Sequence, residues 1–478
     1  MQCRIGSRRK RMEWINSIIA SVNDVLWSYV LTIMLIGCAL WFTFRGRFLQ
    51  FRMVKEMVRL LGDSKPKSDN GEKHISSFQA FAVSIASRVG TGNLAGVATA
   101  IAIGGPGAVF WMWLIALLGS SSAFVESTLA QLYKTRGEKS FVGGPAYYMQ
   151  QGLGKRWMGI LFAVLISITF GFAFNSVQSN TICAAWENSF GIDPFWMGVG
   201  LTVVTLCIIF GGVHRIANVS GVIVPVMAIG YILLALFVVL SNIQHIPSLI
   251  ATIVGNAFGW EQAFGGGVAA ALVQGMKRGL FSNEAGMGSA PNVAATAHVS
   301  HPVKQGLIQA LGVFTDTLII CTCTAFIILL SDTAIASNAN GIQLTQSALE
   351  SEVGRVGNVF VAVAIMLFAF SSIIGNYYYG EANIQFMTKS RTVLVVYRLL
   401  VAAMVMCGAL MTLDLAWGFA DVTMALMTIC NLVAIALLSR QAFLLLENYR
   451  RQKRNGVKDP VYRDGDIPEL RGKGDCWK

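Results

Sequence analysis

The stretch SIASRVGTGNLAG, residues 84–96, interrupts an apolar segment that is otherwise long enough to cross a membrane. It places three glycines, one arginine and one asparagine among hydrophobic residues. Each glycine destabilises a helix by about 1 kcal/mol relative to alanine, and a charge at mid-membrane costs about 2.5–3.5 kcal/mol. Backbone that leaves the helix at this depth persists only when it is buried in protein or lines a watery cavity. The stretch therefore predicts a transmembrane helix that is broken near Gly90.

A second stretch of the same kind, QGMKRGLFSNEAGMGS, occupies residues 274–289. Glycines in membrane helices also serve close helix packing, so one such stretch alone would favour a packing role. Two stretches that each carry polar or ionisable groups favour two broken helices instead. They lie at the start of two successive blocks of five spans, about residues 76–241 and 262–438. Because an odd number of spans reverses the chain direction, we expect an inverted repeat whose interrupted helices mark a transporter's binding site.

The two breaks also predict the chemistry of the site. A split helix exposes unpaired N–H groups where one half starts and unpaired carbonyls where the other half ends. The N–H end suits a carboxylate, and the carbonyl end suits a small hard cation. The predicted site therefore holds an amino-acid zwitterion beside a coupling ion.

The composition indicates an all-α polytopic membrane protein. Of the 478 residues, 54% are hydrophobic and 13% are charged, whereas soluble domains carry about 25% charged residues. This balance argues against a soluble enzyme and against a disordered chain. A helix needs about 20 apolar residues to span the bilayer. Eleven runs, of which one is shorter than the rest, are predicted to be transmembrane helices: 25–44, 76–103, 107–132, 158–184, 195–211, 219–240, 264–296, 307–330, 359–379, 393–413 and 415–438.

The positive charges orient the chain in the membrane. The net charge is +12, from 37 Lys and Arg against 25 Asp and Glu. The positive residues concentrate in alternate connections, 45–73, 134–156, 389–398 and 440–478, and positive connections stay in the cytoplasm. We therefore expect the N-terminus outside and the C-terminus in the cytoplasm, and no nucleic-acid partner.

One integral domain with two polar ends accounts for the whole chain. Residues 1–22 are predicted to be an N-terminal extension, residues 23–440 the transporter domain, and residues 441–478 a basic cytoplasmic tail. The tail is polar and charged, so we expect it to carry little fixed structure. Residues 48–61 mix apolar and basic positions at helical spacing, and we expect this segment to lie along the inner membrane surface.

Five motifs resemble those of the alanine or glycine:cation symporter family, the sodium:alanine symporters. They are SRVGTGNLAGVATAI (87–101), GGPGAVFWMWLIALLGS (104–120), GGPAYYM (143–149), FSNEAGMGSAP (281–291) and FAFSSIIGNYYYGE (368–381). The resemblance implies an eleven-helix transporter of the bacterial inner membrane, whose last ten helices form the LeuT-type five-plus-five inverted repeat. It also implies sodium- or proton-driven uptake of a small neutral amino acid. Transporters with this fold can be monomers, and we expect a monomer whose partners are the amino acid and membrane lipid.

The resemblance further implies a set of site residues. The implied substrate-binding residues are Gly90, Thr91, Gly92, Asn93, Gln178 and Asn376, and Gly286 in the second break is a further predicted substrate-binding residue. The implied sodium ligands, which offer carbonyl, amide or hydroxyl oxygens, are Val89, Asn93, Ser371 and Ser372. Family members often carry tryptophan at the position of Asn376. Asparagine would give a wider and more polar pocket, which suits a larger or more polar neutral amino acid.

Three charged residues inside predicted spans are candidates for a gate or an ion pair: Arg88, Glu284 and Glu126. Arg88 lies about 20 Å deep, at 1.5 Å per residue, and needs a partner. Glu284 in the second break, at matching depth, is the predicted partner. The alternative is that Arg88 caps local carbonyls while Glu284 faces the cytoplasmic vestibule. Glu126 is expected either to brace one broken helix by accepting backbone N–H bonds or to snorkel toward the membrane surface.

The leading interpretation is a secondary active symporter that couples inward transport of alanine or glycine to a sodium gradient. The alternatives are a proton-coupled carrier of a larger neutral amino acid such as glutamine and an ion channel, which would need rings of charges or carbonyls from several subunits. An intramembrane enzyme would need a convergent nucleophile and base or a metal cluster, and the sequence offers neither. We therefore expect a transporter that is not an enzyme and that has no cofactor apart from the coupling ion.

Overall fold

The chain folds into helices along most of its described length. The computed structural model describes residues 17–62, 76–137, 141–211, 213–259, 267–331, 336 and 339–477. The helices of the first half are α1 (Ser17–Arg45), α2 (Leu49–Arg52), α3 (Val54–Leu61), α4 (Ser77–Arg88), α5 (Gly92–Gly104), α6 (Gly107–Leu132), α7 (Pro145–Gln151), α8 (Arg156–Phe190), α9 (Pro194–Gly211), α10 (Val213–Ser241) and α11 (Ile246–Ala257). Those of the second half are α12 (Val268–Asn283), α13 (Ala290–Ala294), α14 (Pro302–Leu329), α15 (Ile342–Val353), α16 (Arg355–Met387), α17 (Arg391–Leu410) and α18 (Leu413–Arg454). Strands β1 (Thr135–Arg136) and β2 (Phe141–Val142) form an antiparallel hairpin between α6 and α7.

Eight of these helices are long and apolar enough to cross a membrane: α1, α6, α8, α9, α14, α16, α17 and α18. A ninth candidate is the pair Val226–Ser241 and Ile243–Ala257, which is bent by 76°. This count refers to the described residues. The predicted spans 76–103 and 264–296 are missing from it because each is divided into two shorter helices.

The first broken helix consists of α4 and α5. A capping box at Ser76 begins α4: the Ser76 hydroxyl accepts from the Gln79 N–H, and the Gln79 side chain accepts from the Ser76 N–H. The helix ends at Arg88 because Val89 is extended, with φ −72° and ψ 101°. Helical backbone then resumes with a π-helical turn at the start of α5. The interruption predicted near Gly90 is therefore present.

The second broken helix consists of α12 and α13. It stops after Asn283 because Glu284 adopts a left-handed conformation, with φ 56°. Gly286 and Gly288 follow with φ +83° and +91°, a region that glycine enters at no steric cost. The second predicted interruption is also present. These two glycines meet a backbone requirement, and Gly288 also meets a packing one, since a Cβ atom there would lie 2.8 Å from the Phe162 ring.

The two broken helices are neighbours in the core of the fold. Helix α6 packs against α12 and α14, and α16 packs against α4. Helices α5 and α12 contact each other closely. A Cβ atom added at Gly92 would lie 3.0 Å from the Ser282 Cα atom, so the glycine allows the two backbones to approach. The packing therefore brings both breaks into one buried region.

The N-terminal part of the chain differs from its predicted boundaries. Residues 17–22, which the sequence places in an extension, are already helical as the start of α1. Residues 1–16 of the predicted extension lie outside the described residues. The predicted surface segment 48–61 forms the two short helices α2 and α3.

The C-terminal tail is folded, which corrects the expectation of little fixed structure. Helix α18 continues to Arg454, beyond the predicted boundary at residue 440. Trp477 is buried, and its indole Nε1 donates to the Gln131 carbonyl of α6 at 3.0 Å. The Tyr462 N–H donates to the Ser300 carbonyl at 2.9 Å. A few apolar residues are thus enough to dock a segment whose composition is polar on average.

We expect Trp477→Ala to release the tail, because the change removes a buried indole and its hydrogen bond to α6. Truncation of a buried tryptophan to alanine costs about 3–5 kcal/mol. Hydrogen exchange of the Tyr462 amide reports the release, since this amide is bonded to Ser300 in the docked tail. Val457→Ala, at an exposed tail residue, is the matched control and should leave the exchange rate unchanged. Equal protection of Tyr462 in both variants would show that Trp477 does not hold the tail.

Candidate functional site

Side chains from a neighbouring helix hold the first break. The Gly90 N–H donates to the Asn93 side-chain oxygen at 2.9 Å. The Thr91 N–H and hydroxyl both donate to Gln178 Oε1, at 3.1 and 2.6 Å. Gln178 lies on α8, so the structure brings together Thr91 and Gln178, two of the predicted substrate-binding residues.

Gly90 has no room for a side chain. A Cβ atom at this position would collide with the Ser372 hydroxyl and would lie 3.1 Å from Gln178 Oε1. Glycine therefore allows the backbone of the break to approach both α8 and α16 closely.

Five oxygen atoms converge where α4 ends beside α16. Ser371 Oγ lies 3.1 Å from the Ala86 carbonyl oxygen, and Ser372 Oγ lies 3.4 Å from the Val89 carbonyl oxygen. Both hydroxyls also bond the Phe368 carbonyl of their own helix, at 2.8 and 3.1 Å. Unwound backbone, as at Val89, and the C-terminal end of a half-helix, as at Ala86, supply carbonyl ligands to a transported cation in a broken-helix transporter. The two hydroxyls and the Phe368 carbonyl of the continuous helix α16 add neutral oxygens beside them. We call this group of atoms the oxygen cluster.

The oxygen cluster contains two residues that the sequence analysis missed. Val89, Ser371 and Ser372 were predicted to bind sodium, whereas Ala86 and Phe368 were not. These two contribute only backbone carbonyls, which every residue type carries. No signal in the side-chain pattern could have identified them.

Asn93, also predicted to bind sodium, contacts a different helix. Its amide Nδ2 donates to Asp316 Oδ1 on α14 at 2.7 Å. Ser282, near the end of α12, donates to Asp316 Oδ2, also at 2.7 Å. Asp316 is fully buried and links the two broken helices. The sequence analysis missed it, although an acidic residue inside an apolar span is the usual signal of a functional position.

The second break is braced by α6 and α18. The Gly286 N–H donates to Glu126 Oε1 at 3.2 Å, and the Gly286 carbonyl accepts from Asn431 Nδ2 at 2.9 Å. Asn431 Nδ2 also donates to Glu126 Oε2 at 2.8 Å. Glu126 is fully buried, so it braces the broken helix and does not snorkel. Both polar backbone groups of Gly286 are bonded to buried side chains, so this residue takes part in the brace.

Arg88 does not pair with Glu284, which corrects the predicted ion pair. The Arg88 guanidinium donates to the Gln309 carbonyl at 3.3 Å and to Gln309 Oε1 at 3.2 Å. Gly312, one turn further along α14, leaves the space that the guanidinium occupies. The Glu284 carboxylate accepts instead from Ser289 in its own loop. Within the part of the chain that the structure describes, no ion pair joins Arg88 to Glu284.

A buried ion pair that the sequence analysis did not identify joins α12 to α18. Arg278 Nη1 and Nη2 lie 3.1 and 3.0 Å from the two carboxylate oxygens of Asp421. The Arg278 guanidinium also lies 4.1 Å from the centroid of the Trp417 ring, and Trp417 packs on Phe281 with ring centroids 4.7 Å apart. These contacts tie the half of the second broken helix that precedes the break to α18.

Asn376 belongs to a buried amide pair beside the first break. Its Nδ2 donates to Asn175 Oδ1 at 3.0 Å. Asn376 lies about one turn after Ser372 on α16, and Asn175 lies about one turn before Gln178 on α8. Both neighbours contact the break, so the amide pair lies next to it.

A cavity of about 220 Å³ opens at the other end of this region. Its lining includes Thr181 and Glu187 of α8, Asn340 before α15, and Met411 between α17 and α18. Thr181 lies one turn after Gln178 on the same face of α8. The cavity therefore approaches the first break from the side opposite to the amide pair.

Comparison with known proteins identifies the family. A model of the sodium:alanine symporter family matches residues 12–464. The chain belongs to the sodium:alanine symporter family. This confirms the resemblance found in the motifs.

Relatives of this sodium:alanine symporter family member cover nearly its whole length. It is 55% identical to "Probable sodium/glutamine symporter GlnT" of Bacillus subtilis (strain 168), over 97% of this chain and 96% of that protein. It is 54% identical to "Amino-acid carrier protein AlsT" of the same strain, over 97% of this chain and 98% of that protein. It is therefore a cation-coupled amino-acid symporter of the membrane and not an enzyme.

A solved structure shows the fold of this family member. The structure of MhsT in complex with L-phenylalanine matches it with a TM-score of 0.55 and 14% sequence identity, over 78% of this chain and 98% of that chain. At this identity the likeness shows the fold alone. The protein has the LeuT-type transporter fold.

We expect Glu126→Ala to destabilise this sodium:alanine symporter family member. The change leaves the Gly286 N–H without its buried acceptor and the Asn431 amide with one of its two acceptors, and an unsatisfied buried polar group costs about 1–3 kcal/mol. Glu126→Gln keeps one acceptor oxygen and should lose less. Thermal unfolding of the purified protein in detergent measures the loss. Glu187→Ala, at an exposed carboxylate of α8, is the control, and equal unfolding temperatures for the two alanine variants would contradict the brace.

Proposed function

We propose that this protein couples inward movement of a neutral amino acid to a sodium gradient, by alternating access around the first break. The observation that carries the proposal is the oxygen cluster at the end of α4, where neutral hydroxyl and carbonyl oxygens converge beside an interrupted helix. A sodium ion would be bound by Ser371 and Ser372 with the carbonyls of Ala86, Val89 and Phe368.

The proposed topology has eleven membrane spans. They are the eight continuous helices, the broken pairs α4–α5 and α12–α13, and α10. The ten spans after α1 would form the inverted repeat of residues 76–241 and 262–438. The protein would lie in a bacterial inner membrane, with its N-terminus outside and its C-terminus in the cytoplasm. This orientation follows because the positively charged connections lie on one side of the membrane and such connections stay in the cytoplasm.

Sodium binding would couple to movement through the helices that supply its ligands. Ala86 and Val89 belong to the end of α4, whereas the serines and Phe368 belong to α16. A bound ion therefore joins the first broken helix to α16, and loss of the ion removes that link. A ligand shifts a conformational equilibrium only by its different affinity for the two states, and this set of ligands exists only while the two helices lie together.

The substrate carboxylate would lie at the start of α5. The backbone of residues 91–93 forms the positive end of this helix, which favours an anion. Gln178 already bonds Thr91 there, and its amide is a neighbouring hydrogen-bond partner for the substrate. Asp316, bonded to Asn93 and Ser282, is a second position where a cation would neutralise a buried charge.

Glutamine fits the site better than the alanine or glycine that the family resemblance implies. The buried pair of Asn376 and Asn175 lies next to the first break, and amide groups both donate and accept hydrogen bonds. A substrate with an amide side chain can bond such a pair, whereas a methyl group or a hydrogen atom cannot. GlnT, which carries glutamine in its name, is 55% identical to this chain.

We expect Ser372→Ala to weaken the sodium dependence of uptake. The change removes one of the five oxygens, so the half-saturating sodium concentration should rise about tenfold, which corresponds to ~1.4 kcal/mol. Radiolabelled glutamine uptake into proteoliposomes, under an imposed sodium gradient without a proton gradient, measures this shift. Ser439→Ala is the matched control, because the Ser439 hydroxyl bonds the Ala436 carbonyl of its own helix at 2.8 Å.

Three outcomes would overturn the sodium proposal. Unchanged sodium dependence of uptake in both Ser371→Ala and Ser372→Ala would show that the sodium ion does not bind at the oxygen cluster. Concentrative uptake driven by a proton gradient alone would indicate the proton-coupled carrier instead. Downhill flux that never concentrates the amino acid would indicate a channel.

We expect unlabelled glutamine to compete for uptake better than alanine, and we expect Asn376→Leu to remove this preference. Loss of a neutral hydrogen bond of ~1.4 kcal/mol should weaken glutamine competition about tenfold while alanine competition changes less. Asn383→Leu is the control, since Asn383 lies on the same helix and bonds Asn292 Oδ1 at 3.1 Å. It should leave the ratio of the two inhibition constants unchanged. The same ratio in wild type and Asn376→Leu would exclude the amide pair as the specificity determinant.

A further inference from the structure

The surface helices α2 and α3 are fastened to the end of α18. The Tyr449 hydroxyl donates to Glu56 Oε1 at 2.6 Å, and Lys453 Nζ lies 3.3 Å from the same oxygen. The Arg450 guanidinium donates to the Gly46 carbonyl, just before α2, at 2.9 Å. These contacts hold the surface helices beside the last turns of α18.

Four arginines crowd together at this junction, and we call them the basic cluster: Arg47, Arg52, Arg450 and Arg454. Arg450 experiences electrostatic repulsion from the other three, against attraction from Glu447. The carboxylate of α3, Glu56, is already engaged by Arg59, Tyr449 and Lys453. Among the described residues, no member of the basic cluster forms an ion pair. Within the described part of the chain, the cluster therefore has no ion-pair partner, and Glu447 attracts Arg450 without forming an ion pair with it.

An exposed apolar stripe borders the basic cluster. It consists of Phe44, Phe48, Phe51, Val54 and Val58, each at least 38% exposed. Arg47 and Phe48 both adopt left-handed backbone, with φ 54° and 55°, which is uncommon for residues other than glycine. This turn follows the membrane-spanning helix α1 directly, so the stripe and the cluster lie together at the membrane surface. Apolar and basic residues on one surface helix are typical of a segment that lies in the lipid interface.

We propose that the basic cluster binds the phosphate of an anionic phospholipid, in the leaflet on the predicted cytoplasmic side. Guanidinium groups match phosphate oxygens in bidentate geometry, and basic groups at the membrane surface attract anionic lipid headgroups. The acyl chains of the same lipid can pack against the apolar stripe beside the surface helices. A free phosphate ion has no apolar part that could contact this stripe. The bound lipid offsets part of the positive charge of the four arginines and joins α2 to the end of α18.

Lipid retention by the full-length protein tests the proposal. The protein is reconstituted in vesicles of phosphatidylcholine with a minor share of cardiolipin, extracted in mild detergent, and examined by native mass spectrometry. We expect cardiolipin to remain bound well above its share in the vesicles. Retention of the two lipids in proportion to the vesicle composition would overturn the proposal.

A variant of the basic cluster locates the site. Arg47→Gln, Arg52→Gln and Arg454→Gln are combined, so that Arg450 keeps its hydrogen bond to Gly46. Removal of three charges near an anionic surface should weaken cardiolipin binding in a detergent titration about 100-fold. Size-exclusion chromatography checks that the variant is folded. If it is not, the retention experiment on the unmodified protein decides the question.

A matched variant separates a site from general surface attraction. Lys155→Gln, Arg156→Gln and Lys389→Gln remove the same number of charges from exposed residues of other connections on the same predicted side. We expect these changes to weaken cardiolipin binding far less. An equal loss in both triple variants would overturn the proposed site. Displacement of labelled cardiolipin by inorganic phosphate at matching concentration would indicate a free-phosphate site and would overturn the lipid assignment.

Discussion

Backbone hydrogen bonds missing at two points inside the membrane are the constraint on which the rest of the structure depends. An unpaired N–H or carbonyl costs several kcal/mol in a region without water, so each break needs partners from elsewhere in the protein. Gln178 supplies them to the first break, and Glu126 and Asn431 supply them to the second. Helices α6, α8 and α18 are therefore held against the breaks, and the packing of the core follows from this requirement.

The two breaks meet the constraint in different ways. At the second break, both polar backbone groups of Gly286 are bonded to buried side chains, and the Arg278–Asp421 pair fixes the helix on one side. At the first break, the carbonyls of Ala86 and Val89 face serine hydroxyls. A hydroxyl can rotate its hydrogen away and present a lone pair instead. The first break is therefore suited to exchange a weak internal hydrogen bond for a cation, whereas the second serves as an anchor.

The two breaks could be predicted from the sequence because each break depends on local residues alone. Its glycines and polar residues stand out inside an otherwise apolar run. Partners distant in sequence could not be predicted: Asp421 lies 143 residues from Arg278 and meets it only through packing. The predicted ion pair between Arg88 and Glu284 was wrong because depth along a span does not give the direction of a side chain. The Arg88 side chain points toward α14 rather than toward Glu284. The folded tail could not be predicted because the mean composition of this segment is polar. That mean does not reveal the few apolar residues, Trp477 above all, that dock the tail.

The charges around the breaks give a physical reason for moving the substrate together with a cation. Arg88 attracts the carboxylates of Glu126, Glu284 and Asp316 but, within the described chain, forms an ion pair with none of them. Arg88 is thus a positive group near three buried carboxyl groups, and a charge that is buried without compensation is expensive. A zwitterion brings no net charge, but its carboxylate would enter a buried region that is shielded from water, where an uncompensated charge is costly. The proposed sodium ion at the end of α4 would attract that carboxylate, so each of the two ligands would be bound more tightly when the other is present.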